Sequence, residues 1–558
     1  MATGIERRTL LSWMVEPDER APIRSTAAGA ESFSATSVGS TTTTIATALT
    51  EAANSGYVGQ VLRCVAGTSA NVGVDVEITG FAAATDTLTH TAFPSATAIG
   101  DQFVIWLPPD PICAVTTSGT TVTASARNEA QLTPRGGSAA AFWIGDVLVA
   151  RRSATVTQGA TTVAITGFAS GTGAFTHTAI TSTTLGDLFH LRRFPKLWGP
   201  PALKWDREDL KQETQRGNFS VDADIPGSKS WTCEVVLPLK GANATAASGT
   251  AATAPPELHR PLSAIFATTQ GTSRTVAAGS TTSIVQVTDG GATTLPVGTL
   301  VMDANGRCAV VTAVAADAAN PDDITVAPPF ARAPVTSELL RAGYSYEPKT
   351  TGHLTMTMDA YIGGVAHLLA YGGLPTVKLS EFKRGSVPKI TLSYRGGFWV
   401  QTPVATPAGL LPSFDSVRPI AATNLTVILG ASTRLIVDEL EIDLGIEIAD
   451  EPSVSLPDGV YGGRIVGMAP TIAIKGRLDT ASPNDSFAEL QRYAGGQPFS
   501  LLVQHGLDSG GTVAFYSHQT RWKNPSHGVV DGLRTIDLVA QVTASELTDM
   551  PDFLLGFI

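Results

Sequence analysis

Charge is scarce in this sequence: 16% of its 558 residues are Asp, Glu, Lys or Arg, against a typical share of about 25%. Beside 43% hydrophobic residues, that scarcity excludes a disordered chain, which needs dense charge and few apolar groups. Clustered basic residues are missing as well, and a formal charge of -11 argues against tight wrapping of nucleic acid, which needs Lys and Arg on phosphate. No run reaches the roughly 18 apolar residues of a membrane span, so no membrane partner is expected. The opening MATGIERRTLLSWMVEPDER holds too short an apolar run for a secretory signal, which predicts synthesis in a cytoplasm. Cysteine is limited to Cys64, Cys113, Cys233 and Cys308, far apart and without CxxC or Cys/His spacing, so neither a zinc site nor a disulfide framework is indicated.

Catalytic signatures are missing too. The chain has no GxSxG elbow, no GxxxxGK[ST] phosphate loop, no HExxH pair and no EF-hand pattern, and its nine His are scattered singly. The sequence therefore predicts no catalytic residues, no metal ligands, no cofactor and no enzyme.

What fills the rows is Thr, Ala, Gly and Val, a mix that predicts a mainly β fold with many turns. The length asks for about three to five packed units. Repeats organise the first of them. VEITGFAAATDTLTHTA from Val76 realigns 87 residues later with VAITGFASGTGAFTHTA from Val163, identical at 11 of 17 positions. Matching strand starts, Gly59-Gln-Val-Leu and Gly145-Asp-Val-Leu, and matching Gly100-Asp101 and Gly186-Asp187 pairs frame the two copies. A weaker relative, with Gly298-Thr-Leu-Val and Ile324-Thr-Val-Ala-Pro-Pro, suggests a third module at 272–340. The repeated His90 and His177 are expected to be structural hydrogen bonders.

The predicted layout is an extended arm at 1–36 anchored by Leu10-Leu11-Ser12-Trp13-Met14 and docked on a neighbour, modules at 37–109 and 110–196, a larger unit at 197–271, the inserted module at 272–340, and the larger unit again at 341–401. A connecting loop at 402–432 leads to a second subdomain at 433–558 with a C-terminal arm. Phe219-Ser-Val-Asp-Ala-Asp alternates as a strand, Leu258, Leu262, Ile265 and Phe266 share a helix face, and Val365 to Tyr371 reads as a short helix closed by Gly372-Gly373. A further helix starts at Ser482 with Pro483 and turns Phe487, Leu490 and Tyr493 inward. Leu368 to Pro375 and Leu490 to Pro498 share a Tyr, a Gly-Gly stop and a Pro, which suggests that the larger unit is doubled.

One charged row stands out. Across Leu435 to Ile448, period two puts Leu440, Ile442, Leu444 and Ile446 on one face and Glu439, Glu441, Asp443 and Glu447 on the other, with no Lys or Arg inside the run. The row reads either as a solvated sheet face or as an acidic wall past which a polyanion slides. Asp222 and Asp224 are placed to extend it.

The segment NFSVDADIPGSKSWTCEVVLPLKG from Asn218, the helix with Pro261-Leu-Ser-Ala-Ile-Phe, Tyr344-Ser-Tyr-Glu-Pro, Gly385-Ser-Val-Pro-Lys-Ile-Thr-Leu-Ser-Tyr-Arg-Gly and the passage Phe487 to Gly506 together resemble a tail tube protein of long-tailed, siphophage-type bacteriophages. The similarity covers about 197–271 and 341–558. It implies a tail-tube-type β-sandwich or barrel with flanking helices, over a length that suits a duplicated fold; the two or three small all-β modules, read as outer decoration, are where the sequence departs from the family. It also implies a structural virion protein of the tail, not an enzyme, whose rings stack into a hollow conduit for genome ejection. Implied partners are the chain itself, as trimeric pseudo-sixfold or hexameric rings, the tape-measure protein and double-stranded DNA in the lumen without specific binding, and tail terminator and baseplate proteins. Glu439, Glu441, Asp443, Glu447, Asp222 and Asp224 become candidate lumen-facing acids, and the arm 1–36, the loop 402–432 and the tail Glu546 to Ile558 become ring-to-ring fasteners. The competing reading is a baseplate, fibre or capsid-decoration protein gripping host-surface glycans through its repeated modules, with Trp106, Trp143 and Phe168 stacking sugars.

Overall fold

Period-two runs of Val, Ile, Thr and Leu form strands wherever one of their faces has something to pack on, and the computed structural model is accordingly mainly β, with two α-helices among the described residues. It describes residues 10–15, 31–46, 49, 57, 60–72, 74–106, 112–114, 122–123, 146–152, 162–169, 174–177, 188–210, 225–242, 255–288, 294–316, 321–362, 366–402, 419, 421–422, 424–430, 433–452, 460–478, 486–508, 510–530, 533–544 and 551–558.

The first copy of the duplicated sequence folds as a small closed barrel and the second as a six-stranded sheet of the same strand order. In the first, strands Glu31–Ser37, Thr43–Ala46, Val61–Ala66, Asp75–Ala82, Thr87–His90 and Gln102–Trp106 close in the order first, second, fifth, fourth, third, sixth. The second, from Ile112–Ala114 to Leu188–Arg192, runs through the same neighbours except that its first and second strands share no ladder among the described residues. So does the inserted module, Arg274–Thr275 to Leu339–Ala342, where the first and second strands meet through a single bridge, Val276 to Val287. The same irregularity marks all three: the register slips after Ile78, after Ile165 and after Val311. At the matching strand starts Gln60, Asp146 and Thr299 are all buried, and their carbonyls accept the amides of Ile78, Ile165 and Val311 at 2.9, 3.0 and 2.9 Å. His90 is a structural residue, its Nε2 on Thr44 Oγ1 at 2.9 Å and its Nδ1 on the Thr91 carbonyl at 2.8 Å, and burial lowers its pKa.

The remainder of the chain is built twice on one plan. The first repeat contains β1 (Leu10–Val15), β2 (Ala202–Leu210), β3 (Ile225–Pro238), α1 (His259–Ile265), β4 (Met356–Ile362), β5 (Ala366–Lys383), β6 (Lys389–Gly396) and β7 (Phe398–Thr402). The second contains β8 (Leu425–Leu429), β9 (Val437–Asp443), β10 (Thr471–Arg477), α2 (Ser486–Ala494), β11 (Phe499–His505), β12 (Val513–Val530), β13 (Leu533–Val542) and β14 (Phe553–Phe557). Each antiparallel ladder of one repeat has its counterpart in the other: β1·β4 and β8·β11, β2·β3 and β9·β10, β3·β6 and β10·β13, β4·β5 and β11·β12, β5·β7 and β12·β14, β5·β6 and β12·β13. β5 and β12 are both 18 residues long, and each gives its first half to an outer sheet and its second half to an inner one. The inner sheets join edge to edge through β5 and β9, in the order β2, β3, β6, β5, β9, β10, β13, β12. Between inner and outer layers lies one core, with Trp231, Leu392, Tyr394, Ile442, Ile474 and Phe515.

Several expectations fail here for identifiable reasons. The helix predicted from Val365 to Tyr371 is replaced by strand over its described part: residues 366–371 open β5, because β4 and β7 offer ladders on both of its margins. The Leu368 and Leu490 segments are therefore not equivalent, one being strand and the other α2, although the doubling they suggested is present. The anchor at Leu10 to Met14 pairs with Thr357 to Tyr361 of its own chain rather than with a neighbour. The predicted loop 402–432 contains β8. The apolar tail is no exposed fastener, since Phe553 to Phe557 is buried between β12 and the strand Tyr344–Pro348. In α2, Tyr493 is exposed instead of inward, and the buried polar residues are Ser486 and Glu489, the latter accepting the Trp522 indole N–H at 2.9 Å.

The second and third modules each seat on one outer sheet with the same face. Val147 and Val149 of the second module pack on Tyr361 of β4. Leu300, Met302, Cys308 and Val310 of the third pack on Ile428, Leu502, Ala514, Tyr516 and Leu554. Ionic contacts lock the second module: Asp146 takes Arg193 at 2.6 Å and Arg260 of α1 at 3.0 Å, all three buried, so the polar side of α1 is covered as fully as its apolar side. Burial alone would raise the Asp359 carboxyl, but the hydrogen bond with His367 at 2.6 Å and the charge of Arg192 at 3.3 Å hold it below its usual range.

Candidate functional site

The alternation in β9 buries Leu440, Ile442 and the adjoining Leu444 and leaves Glu439, Glu441 and Asp443 on the solvent side of the inner sheet. The row is not an unopposed acidic wall. Glu439 pairs with Lys475 of β10 at 2.8 Å, and Glu441 pairs with Lys378 of β5. Asp443 stands opposite Lys378 and accepts the Gly445 amide at 2.9 Å. The missing cations were invisible in the run because they come from neighbouring strands, and cross-strand register, not spacing along the chain, brings them in. Those hydrogen bonds and charges hold the Lys378 and Lys475 ammonium groups above the ordinary lysine range.

Glu447 is separated from the row. The chain leaves the inner sheet at Gly445, whose φ of +55 and whose approach to the Ala469 carbonyl exclude a side chain, since a Cβ there would lie 2.2 Å from that oxygen. Glu447 then belongs to a two-stranded ribbon, Ile446–Pro452 with Val460–Met468, opposite Gly467. Asp222 and Asp224 lie outside the described residues.

Four strands carry an alternating row across the sheet: Lys383 of β5, Glu439 of β9, Lys475 of β10 and Asp537 of β13 stand in register. Around it, Lys383 pairs with Glu381 at 3.1 Å, Arg477 with Asp438 at 3.6 Å, and Arg395 with Asp450 of the ribbon.

The margins of the inner sheet are the second feature of the site. β2 takes a ladder on one side, from β3, and the second half of β12 takes one from β13; the opposite margins carry no ladder among the described residues. Large apolar groups stand exposed there: Trp198 at 51% just before β2, Trp205 at 42% on β2, and Val529 at 70% on β12. Trp205 rests against Trp399, ring centres 5.6 Å apart.

Of the aromatic residues read as a sugar platform, Phe168 is buried against Phe175 at 4.8 Å, Trp143 lies outside the described residues, and the Trp106 side chain does too. Among the described residues no three His, Cys, Asp or Glu side chains converge as a metal site, and no helix is long and apolar enough to cross a membrane. No family model matches this chain, and no curated protein matches its sequence.

Proposed function

We propose that this chain is a tail tube subunit of the long-tailed phage kind, three copies of which close a ring of six repeats that stacks into a conduit for DNA. The observation that supports this reading is the joint between the repeats. There the second half of β5 meets β9 along an antiparallel ladder from Lys378·Asp443 to Lys383·Glu439. By the correspondence of the repeats, the second half of β12 is the counterpart of that β5 segment and β2 is the counterpart of β9. One chain thus ends on the two halves of a joint it already contains once, and margins of that kind pair with a further copy unless something blocks them. The pairing is head to tail, so it propagates from copy to copy, and with a third of a turn per chain it closes as a ring of three. The second and third modules cover the outer sheets, one per repeat, which leaves the charged inner face for a lumen through which the tape-measure protein and double-stranded DNA pass without specific binding. Terminator and baseplate proteins would meet the ends of such a tube in the virion tail.

The test is electron microscopy and mass photometry of the full chain. Rings of three subunits, and tubes of uniform diameter at higher concentration, are expected; monomers at every concentration, with a terminator protein added, overturn the proposal.

A further inference from the structure

We propose that Glu439 and Glu441 act as masks for Lys475 and Lys378, and so turn a lysine-bearing sheet face into one that double-stranded DNA passes without adhering. The inference rests on reading this face as the lumen lining, and assigns the acids a role other than repulsion. Five cations of this face, Lys378, Lys383, Arg395, Lys475 and Arg477, each hold a carboxylate partner, respectively Glu441, Glu381, Asp450, Glu439 and Asp438, whereas Arg521 and Lys523, at the β12 end of the sheet opposite Gln541 and Val539, stand outside this set. The pairs are about half exposed, as the side chains of Lys475 at 60% and Glu439 at 46% illustrate. Exposed pairs contribute on the order of 0–1 kcal/mol to folding, so stability does not explain five of them on one surface. Their larger effect is on the potential that a polyanion meets.

DNA adheres to protein when lysine and arginine neutralise phosphates and release the condensed counterions, about 0.9 ion per phosphate. An ammonium already resting on a carboxylate neutralises no phosphate unless the carboxylate is displaced into water. The alternating row Lys383, Glu439, Lys475, Asp537 keeps opposite charges adjacent along the width of the sheet, so no two cations there stand side by side to grip neighbouring phosphates.

The experiment uses the full chain at a concentration below assembly, with a fluorescent blunt-ended DNA duplex as the probe and binding read by anisotropy over a salt series. Wild type is expected to bind weakly. Glu439→Gln with Glu441→Gln is expected to bind more tightly, with the slope of log affinity against log salt steeper by about 1.8, two phosphates at about 0.9 each. Adding Lys378→Gln and Lys475→Gln is expected to remove that gain. Glu439→Gln alone, expected to steepen the slope by about 0.9, serves as the second variant, and melting curves of all of them establish folding. A folded double variant that binds no better than wild type overturns the masking role, and so does a gain that survives loss of both lysines. Imaging at assembly concentrations separates the two readings: a gain in binding without tubes leaves the masking role and removes the ring, whereas tubes without a gain do the reverse.

Discussion

Asp146 Oδ2 accepts a hydrogen bond from Arg260 Nε at 3.0 Å, in a place where neither side chain meets water. The two residues lie 114 positions apart, one at a strand start of the second module and the other in α1, and Arg193 completes the cluster at 2.6 Å from Oδ1.

Asp146→Ala is expected to cost about 3–5 kcal/mol, because it strands two buried guanidinium groups at once. Urea unfolding of the full chain measures it. A loss below about 1 kcal/mol would mean that water reaches Arg193 and Arg260 after the change.

The third module depends on a neutral lock. Gln504 of β11 accepts the Cys308 amide at 2.9 Å and donates to the Gly506 carbonyl at 2.8 Å and to that of Gly306. Gln504→Ala leaves those buried groups without their partner and is expected to cost about 1–3 kcal/mol. The local effect should show as faster amide exchange in 300–310 than in the first module, and equal exchange in both would reject it.

Much of this was legible in the sequence and some of it was not, for reasons that individual residues make plain. The Val76 and Val163 repeat was readable because identical side chains occupy equivalent strand positions down to the slip after Ile78 and Ile165. The apolar face of α1 was readable from Leu258, Leu262 and Ile265, all buried. The doubling was traced to the wrong residues, since β5 and β12 correspond in length and pairing while sharing little sequence. The opening of β5, Ala-His-Leu-Leu-Ala-Tyr, suits a helix locally, and tertiary ladders on both margins override that preference. The charge balance of the candidate face was hidden for the same reason. Lys378 and Lys475 approach Glu441 and Glu439 by register across strands, which spacing along a chain does not encode.

Acid should weaken the fold through His259. Its ring is buried with Nδ1 2.8 Å from Tyr346 Oη, and burial, with the charges of Arg260 and Arg193, holds its pKa well below the ordinary value. Unfolded, the same imidazole takes up a proton near pH 6.5. Below that pH the unfolded chain binds the extra proton, so stability falls as pH drops, by up to about 1.4 kcal/mol per pH unit for this group, and is unaffected by it above. Buried His90, also lowered, adds in the same direction. Urea midpoints between pH 7.5 and pH 5 test this, and His259→Asn should flatten the slope; an unchanged slope would show that other groups carry it.

Val529 offers the most direct probe of the open margin on β12. It is 70% exposed and lies where β12 pairs on one side, Val529 standing opposite Arg534. An aliphatic group left in water at a strand edge is covered once a further strand adds to the sheet, and a carboxylate in its place would have to be desolvated for that strand to pair. Val529→Asp should therefore leave the melting temperature of the dilute chain nearly unchanged, since surface substitutions away from buried features stay within about 0.5 kcal/mol. At assembly concentrations it should abolish rings while wild type forms them. Ring formation by the variant equal to that of wild type would place the contact between copies on some other part of the surface. A large fall in melting temperature would show instead that Val529 packs within its own subunit.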